Sequence, residues 1–137
     1  VHSILGMEKA LEISIARMEK DQQHILELKQ YFMSELQKLD AKILFNGHSA
    51  HAEKGTYTLL NVRFPLQNEL LLFSLDMAGI AVSGGSACQS GSQRGSHVLH
   101  EILNESEVAK TSIRFSFSKY TTQQEIDATI LKLQEIV

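Results

Sequence analysis

The stretch that decides the fold class is Ser112-Ile113-Arg114-Phe115-Ser116-Phe117-Ser118. Polar and apolar residues alternate strictly along it, which is typical of a β-strand with one buried face. A few residues later, Thr122-Gln123-Gln124-Glu125 has the capping-box pattern that begins a helix. The predicted helix has an apolar stripe of Ile126, Ile130, Leu133 and Val137. A strand followed by a capped helix predicts that helices pack on a sheet.

Further strands and helices are predicted upstream of this stretch. Thr56 to Phe64 also alternates, with Leu60, Val62 and Phe64 on one face and Asn61 and Arg63 on the other, and Pro65 ends it. Short strands are predicted over Lys42–Phe45, before the Asn46-Gly47 turn, and over Ile80–Val82. The apolar segment Asn68–Met77 is predicted to be a buried helix capped by Gly79, and His97–Leu103 a short helix.

The N-terminal region predicts one long helix. From Ile4 to about Leu39, apolar residues recur every three or four positions with charged residues between them. The most polar part, Arg17–Gln23, is where a kink or an exposed turn is expected. A long helix that is only half apolar either bridges to a further body or covers the core of a self-sufficient domain. The sequence leaves both interpretations open.

Together these elements predict an α/β fold of the layered α+β kind. We expect a small, mainly antiparallel sheet of three or four strands, with helices packed mainly on one side. The predicted organisation is a connecting helix over residues 1–39 followed by a sheet-helix body over residues 40–137.

Composition excludes several classes of protein. The 137 residues fit one domain, and 43% hydrophobic with 21% charged residues excludes a disordered chain. A net charge of -3 without a Lys/Arg cluster disfavours nucleic-acid binding. The single cysteine excludes an internal disulfide and fits a reducing compartment, so a cytoplasmic protein without membrane partners is expected. The start at Val1, without an initiator methionine or signal peptide, predicts a chain entered partway.

The segment 83–96 is the first candidate for chemistry. It consists mostly of Gly and Ser, holds the only cysteine, Cys88, and predicts a surface loop. A free cysteine is usually a small buried hydrophobe, but Ala87 is the only apolar residue near Cys88, which favours a reachable thiol. Catalysis needs a stabilised thiolate. Arg94, His97 and His100 are candidates for that role, although an exposed helix face explains both histidines equally well.

Arg114 is the second candidate. It lies among serines without an adjacent acid, and a guanidinium can donate two parallel hydrogen bonds to a carboxylate. The competing interpretation is an ordinary solvated arginine, and the presence of the Cys88 loop favours the functional one. His48 and His51 have the spacing of metal ligands, but no Cys or acid pattern surrounds them and no metal site is predicted.

Three blocks of the sequence resemble a known family. They are Val1-His2-Ser3-Ile4-Leu5-Gly6-Met7, the run Ala81-Val82-Ser83-Gly84-Gly85-Ser86-Ala87-Cys88 with Gly95-Ser96-His97-Val98-Leu99, and Ser112-Ile113-Arg114-Phe115-Ser116. They resemble the C-terminal small domain of cysteine desulfurases with a long cysteine loop, which are pyridoxal-phosphate enzymes of the class V aminotransferase fold. The resemblance implies that Cys88 accepts sulfur and that Arg114 binds the substrate carboxylate. Gly84 and Gly95-Ser96-His97 depart from the family's usual residues.

The resemblance also implies the activity of a longer parent enzyme. Such an enzyme converts L-cysteine into L-alanine and leaves a persulfide on the loop cysteine, which passes sulfur to an acceptor protein for iron–sulfur clusters or thiolation. Its cofactor lysine lies in a larger domain upstream, so this chain is expected to be inactive alone and to bind no pyridoxal phosphate. The parent is expected to be a homodimer. The alternatives are a non-catalytic interaction domain of the same fold and a related class V aminotransferase or lyase.

Overall fold

The structure is a computed structural model and describes residues 1–68, 70–84 and 96–137. In these ranges the chain forms helices α1 (His2–Leu39), α2 (Leu71–Met77), α3 (His97–Ile102), α4 (Glu105–Val108) and α5 (Gln123–Ile136). The strands are β1 (Leu44–Phe45), β2 (Leu59–Arg63), β3 (Ser83–Gly84) and β4 (Ser112–Ser116).

The four strands form one antiparallel sheet in the order β1-β2-β4-β3. Its longest pairing joins β2 to β4, with Leu60 opposite Phe115 and Asn61 opposite Arg114. Both strands have the alternating sequences from which they were predicted, so their apolar residues meet on the same face. The predicted fold class, a small antiparallel sheet preceded by a long N-terminal helix, is confirmed.

The core lies between one face of the sheet and the helices α1, α2 and α5. Phe32 of α1 is 1% exposed, and its ring meets those of Phe115 and Phe117 edge-on at 4.9 and 5.9 Å between centroids. The capping box of α5 is present as predicted, with the Thr122 side chain and the Glu125 side chain each bonded to the other residue's backbone N–H. Other core residues of the sheet and these helices are Leu36, Leu60, Val62, Leu75, Ile113, Ile126, Ile130 and Leu133.

Helix α1 has two unlike halves. Residues 1–20 are exposed, although several are large and apolar, whereas Ile25, Leu28, Phe32 and Leu36 are buried. The prediction of a kink or turn at Arg17–Gln23 is wrong, because α1 continues unbroken through that stretch. Its polar residues are good helix formers, and Arg17 lies 3.2 Å from Asp21 one turn later.

Two other local predictions need correction. The helix predicted over Asn68–Met77 begins later, at Leu71. Only Leu71 and Leu75 are buried in it, because a helix of two turns presents one narrow stripe of residues to the core. Strand β3 lies at Ser83–Gly84 and not at Ile80–Val82. Gly79 has a φ of +79°, and the Ile80 N–H still bonds back to Leu75, so the chain has not yet straightened at Ile80.

The short helix α4 was not predicted; its N-cap, Asn104, accepts a hydrogen bond from the Glu107 N–H. Among the helices of the described ranges, none combines the length and the apolar character needed to cross a lipid bilayer.

Candidate functional site

The sheet face that looks away from the core is polar. It carries Asn61 and Arg63 from β2 and Ser112, Arg114 and Ser116 from β4, whereas Ile113 and Phe115 point to the core. The predicted alternation of the β4 sequence is therefore confirmed. We call this side of the sheet the polar face.

Four residues form a row across the polar face. Asn61 is paired with Arg114, and Arg114 with Ser83 on β3. On the other side, the register of β1 with β2 continues to Asn46, whose backbone N–H donates to the Asn61 carbonyl at 2.9 Å. The order across the sheet is thus Asn46, Asn61, Arg114 and Ser83.

One end of the row belongs to a hydrogen-bonded network centred on Asn46, which is 4% exposed. The Arg63 guanidinium donates to Asn46 Oδ1 at 3.0 Å. Asn46 Nδ2 in turn donates to Asn61 Oδ1 and to Ser112 Oγ, both at 3.0 Å. Both polar atoms of the Asn46 side chain are therefore hydrogen-bonded despite its burial.

The network extends to α4 through an ion pair. Arg63, which is 9% exposed, places its Nε 3.1 Å from Glu107 Oε2, and Lys110 Nζ lies 2.5 Å from Glu107 Oε1. The hydrogen bond from Lys110 is the main reason that the pKa of Glu107 is lowered, and the charge of Arg63 acts in the same direction. The ion pair of Arg63 with Glu107 thus connects α4 to the polar face.

Arg114 differs from Arg63 in its partners. Its Nε is buried, and among the described residues it has neither a hydrogen-bond acceptor nor a carboxylate within ion-pair distance. A guanidinium has five donors and no acceptor, so an unused one calls for an anionic or carbonyl partner. Within the described part of the chain, Arg114 is the guanidinium that remains available to a ligand from the polar face.

The predicted site residue Cys88 lies outside the described residues, as does Arg94. The pairing of Cys88 with Arg114 therefore stays a prediction. Ser83 and Gly84, predicted as the start of the loop, belong instead to β3, which lies directly beside Arg114. His97 and His100 are exposed on α3. The rings of His48 and His51 lie 5.6 Å apart.

An open cleft lies on the other side of the sheet. Its volume is about 450 Å³, and Phe32, Ile80, Phe115, Ile126 and Thr129 are among the residues that line it. Ser116 borders the cleft, but Arg114 and the network residues Asn46, Asn61 and Arg63 do not line it. The cleft is no part of the candidate site.

Sequence reasoning missed the polar network. Asn61 and Arg63 were assigned to the non-core face, but their partners Asn46 and Glu107 are distant in the chain. The available signal was the spacing of two alternating segments: once β2 and β4 are paired antiparallel, the polar residues of both fall on one face. No pattern in the sequence predicted that Glu107 of α4 would pair with Arg63.

A family profile settles the relationship. The profile of the family described as aminotransferase class-V matches residues 1–129. The chain belongs to the class-V aminotransferase family. The resemblance inferred from the three sequence blocks is thereby confirmed at the level of the family.

Individual relatives carry a common name. The chain is 36% identical over 138 residues to cysteine desulfurase IscS of Dictyoglomus turgidum, covering 100% of this chain and 34% of that protein. It is 38% identical to the protein of the same name from Acinetobacter baumannii, covering 98% of this chain and 34% of that protein. The chain therefore spans about a third of the length of the curated relatives that it matches.

Solved structures agree in fold. A NifS-like protein superposes with a TM-score of 0.75 at 27% identity, covering 97% of this chain and 32% of the other. A second NifS-like protein, from Rickettsia africae, has a TM-score of 0.67 over 88% of this chain and 30% of its own; at 24% identity it supports the fold alone.

The lysines of this class-V domain show whether it could hold pyridoxal phosphate, which is held by a lysine Schiff base. Lys29 is 3% exposed, and burial lowers its pKa, but its Nζ donates to the Thr56 carbonyl at 2.9 Å. It belongs to α1, on the core side of the sheet, opposite Arg114. Lys110 belongs to the polar network, but Glu107 pairs with its amine. The amines of Lys29 and Lys110 are therefore both engaged, and these two residues do not fit the Schiff-base position of a pyridoxal-phosphate site.

Proposed function

We propose that this chain is the C-terminal small domain of a cysteine desulfurase, in which Arg114 binds the carboxylate of L-cysteine and Cys88 accepts its sulfur. The observation that carries the proposal is Arg114 on the polar face, whose buried Nε has no hydrogen-bond acceptor among the described residues. A bidentate pair with a carboxylate satisfies its donors and fixes the orientation of the substrate.

Chain connectivity supports the role of Cys88. Ser83 is the β3 partner of Arg114, and Cys88 follows it by only a few residues. A chain spans at most about 3.6 Å per residue, so the Cα atom of Cys88 is within roughly 18 Å of that of Ser83 along any path. A substrate held at Arg114 is therefore within the general reach of the thiol.

The proposed sulfur transfer balances without a further oxidant. The Cys88 thiolate attacks the sulfur of L-cysteine; a sulfur–sulfur bond forms as the bond between sulfur and Cβ breaks. The carbon skeleton leaves as L-alanine, with the hydrogen lost from the substrate thiol replaced by one gained at Cβ. Cys88 is left as a persulfide, from which an acceptor protein takes the sulfur.

The proposal divides the work between two parts of a longer enzyme. Residues 1–39 connect to, and residues 40–137 complete, a larger domain that holds pyridoxal phosphate. The exposed apolar half of α1, which includes Ile4, Leu11 and Ile15, supports packing against another body. We expect a cytoplasmic homodimer and an inactive isolated chain. The single cysteine supports a reducing compartment.

The test uses the full-length enzyme with pyridoxal phosphate and L-cysteine. We expect the mass of the Cys88 peptide to increase by one sulfur atom, and Cys88→Ala to abolish this increase while L-cysteine still binds. Arg114→Lys should raise KM, because the ammonium group of lysine does not offer the two parallel hydrogen bonds that a guanidinium donates to a carboxylate. Alanine formation without sulfur on Cys88 would instead favour a related class V lyase. No turnover and no binding of L-cysteine would favour a non-catalytic interaction domain.

A further inference from the structure

The row across the polar face points to a second residue that recognises the substrate. We propose that Asn61 is a carboxylate-binding residue, donating from its side-chain nitrogen beside the Arg114 guanidinium. The inference rests on the proposed function, since it adds a second donor to the same carboxylate site.

The orientation of the Asn61 amide follows from Arg63. A guanidinium only donates, so the group that it meets at 3.0 Å must be the oxygen of Asn46. The nitrogen of Asn46 then faces Asn61, at 3.0 Å, and must meet the oxygen of that side chain. The Asn61 side-chain nitrogen is left at the other edge of the planar amide group, away from Asn46. The charged donor Arg63 thus fixes the orientations of the side-chain amides of Asn46 and Asn61.

The opposite side of Asn61 is the side of Arg114. Asn46 lies toward β1 and Arg114 lies on β4, with Asn61 between them. Backbone bonds join Phe64 to Thr111 and Phe117 to Thr58, so every second pair of this ladder is hydrogen-bonded and the pair of Asn61 and Arg114 falls between them. Side chains of such non-hydrogen-bonded pairs approach each other most closely.

Two donor groups therefore lie side by side without an acceptor. Among the described residues, the side-chain nitrogen of Asn61 makes no hydrogen bond, and the Arg114 Nε has no acceptor; only the backbone N–H of Asn61 donates, to Ser49 Oγ. Adjacent donors repel each other weakly and favour a ligand that accepts from both. A carboxylate has two oxygens and about four acceptor positions, so it can take the Arg114 fork and a hydrogen bond from Asn61 together.

The decisive variant is Asn61→Asp in the full-length enzyme. Asp can still accept from Asn46, so a merely structural role is preserved, but it has no amide donor and its charge repels a carboxylate. We expect KM for L-cysteine to rise about ten-fold or more, and the dissociation constant of L-alanine to rise by a similar factor. With L-cysteinamide, in which a neutral amide replaces the carboxylate, KM should not rise.

Ser116→Asp is the matched control. It puts the same charge on the same face and strand as Arg114, two residues further along, without removing an amide donor. It should change KM for L-cysteine by less than about three-fold. An equal rise in both variants, or no rise in Asn61→Asp, would overturn the inference.

Two further variants separate the possible failures. If Asn61→Asp does not fold, Asn61→Ala tests the same donor, and a preference for L-cysteine over L-cysteinamide that equals the wild type contradicts the proposal. Arg114→Lys tests the proposed function itself. Loss of the preference in Arg114→Lys but not in the Asn61 variants refutes Asn61 alone, whereas retention in Arg114→Lys refutes the carboxylate site.

Discussion

The two faces of the sheet are stabilised by different kinds of interaction. On the core face, residues such as Leu60, Val62 and Ile113 are almost fully buried and make no side-chain hydrogen bonds, so burial of apolar area stabilises them. On the polar face, Asn46 and Arg63 are buried nearly as deeply, but each depends on a specific partner. Apolar positions tolerate any residue of similar shape, whereas a polar position fails when one partner is lost.

Arg114 is the exception that makes the comparison informative. It shares the polar face with Arg63 but lacks an equivalent of Glu107 among the described residues. One arginine is thus part of the scaffold and the other is left for a ligand.

Phe32→Ala should have the largest effect on stability. It removes a side chain that contacts both Phe115 and Phe117 in the core, and we expect a loss of about 3–5 kcal/mol in the free energy of unfolding. Urea denaturation followed by circular dichroism measures this loss. Leu131→Ala on the exposed side of α5 is the control and should cost less than about 1 kcal/mol. Similar losses in both variants would contradict the placement of the core.

Asn46→Ala should follow, with a loss of about 1–3 kcal/mol. The substitution leaves a donor of Arg63 and the oxygen of Asn61 without their partner inside a buried network. The same denaturation experiment measures it. A loss below about 0.5 kcal/mol would mean that the polar face is hydrated and does not depend on this hub.

Glu107→Gln should lower stability at neutral pH and make stability less dependent on pH. The pKa of Glu107 is lower in the folded chain than in the unfolded one, chiefly because Lys110 donates to it. Its contribution is therefore complete above the ordinary carboxyl pKa and is lost as the pH falls through the lowered value. Unfolding free energies from about pH 7 to about pH 3 should fall less steeply in the variant. Parallel curves would contradict the ion pair.

Gly84→Ser should have the smallest effect. A Cβ atom at Gly84 would lie 3.5 Å from Leu72 Cδ2, an ordinary contact, and a side chain reduces the freedom of the unfolded chain. We expect stability to stay the same or to increase by up to about 1 kcal/mol, read from the unfolding midpoint. Gly55→Ala is the contrasting variant, since its Cβ would collide with the His48 carbonyl oxygen and must destabilise the chain. A clear loss in Gly84→Ser would contradict the described path of β3.

Local patterns predicted most of the fold. The alternation around Arg114 and the capping box at Thr122 depend on neighbouring residues, and both are present as predicted. The errors arose where tertiary contacts decide the outcome. Ile80 was predicted as strand from its composition, but the turn at Gly79 delays the strand to Ser83.

The candidate site was predictable only in part. Arg114 was found because its neighbours along the chain are serines, a local signal. The role of Asn61 needed the pairing of β2 with β4, and the orientation of its amide needed Arg63 and Asn46, which are joined only in the folded sheet. Partners that are distant in the sequence leave no periodic pattern, so sequence reasoning could not supply them.

The central claim is that the polar face receives the carboxylate of the substrate at Arg114. A crystal structure of the full-length enzyme with L-alanine bound tests it most directly. We expect both carboxylate oxygens to lie about 2.7–2.9 Å from the Arg114 guanidinium nitrogens, with Asn61 donating to one of them. A carboxylate bound elsewhere, with Arg114 paired to a protein acid, would contradict it.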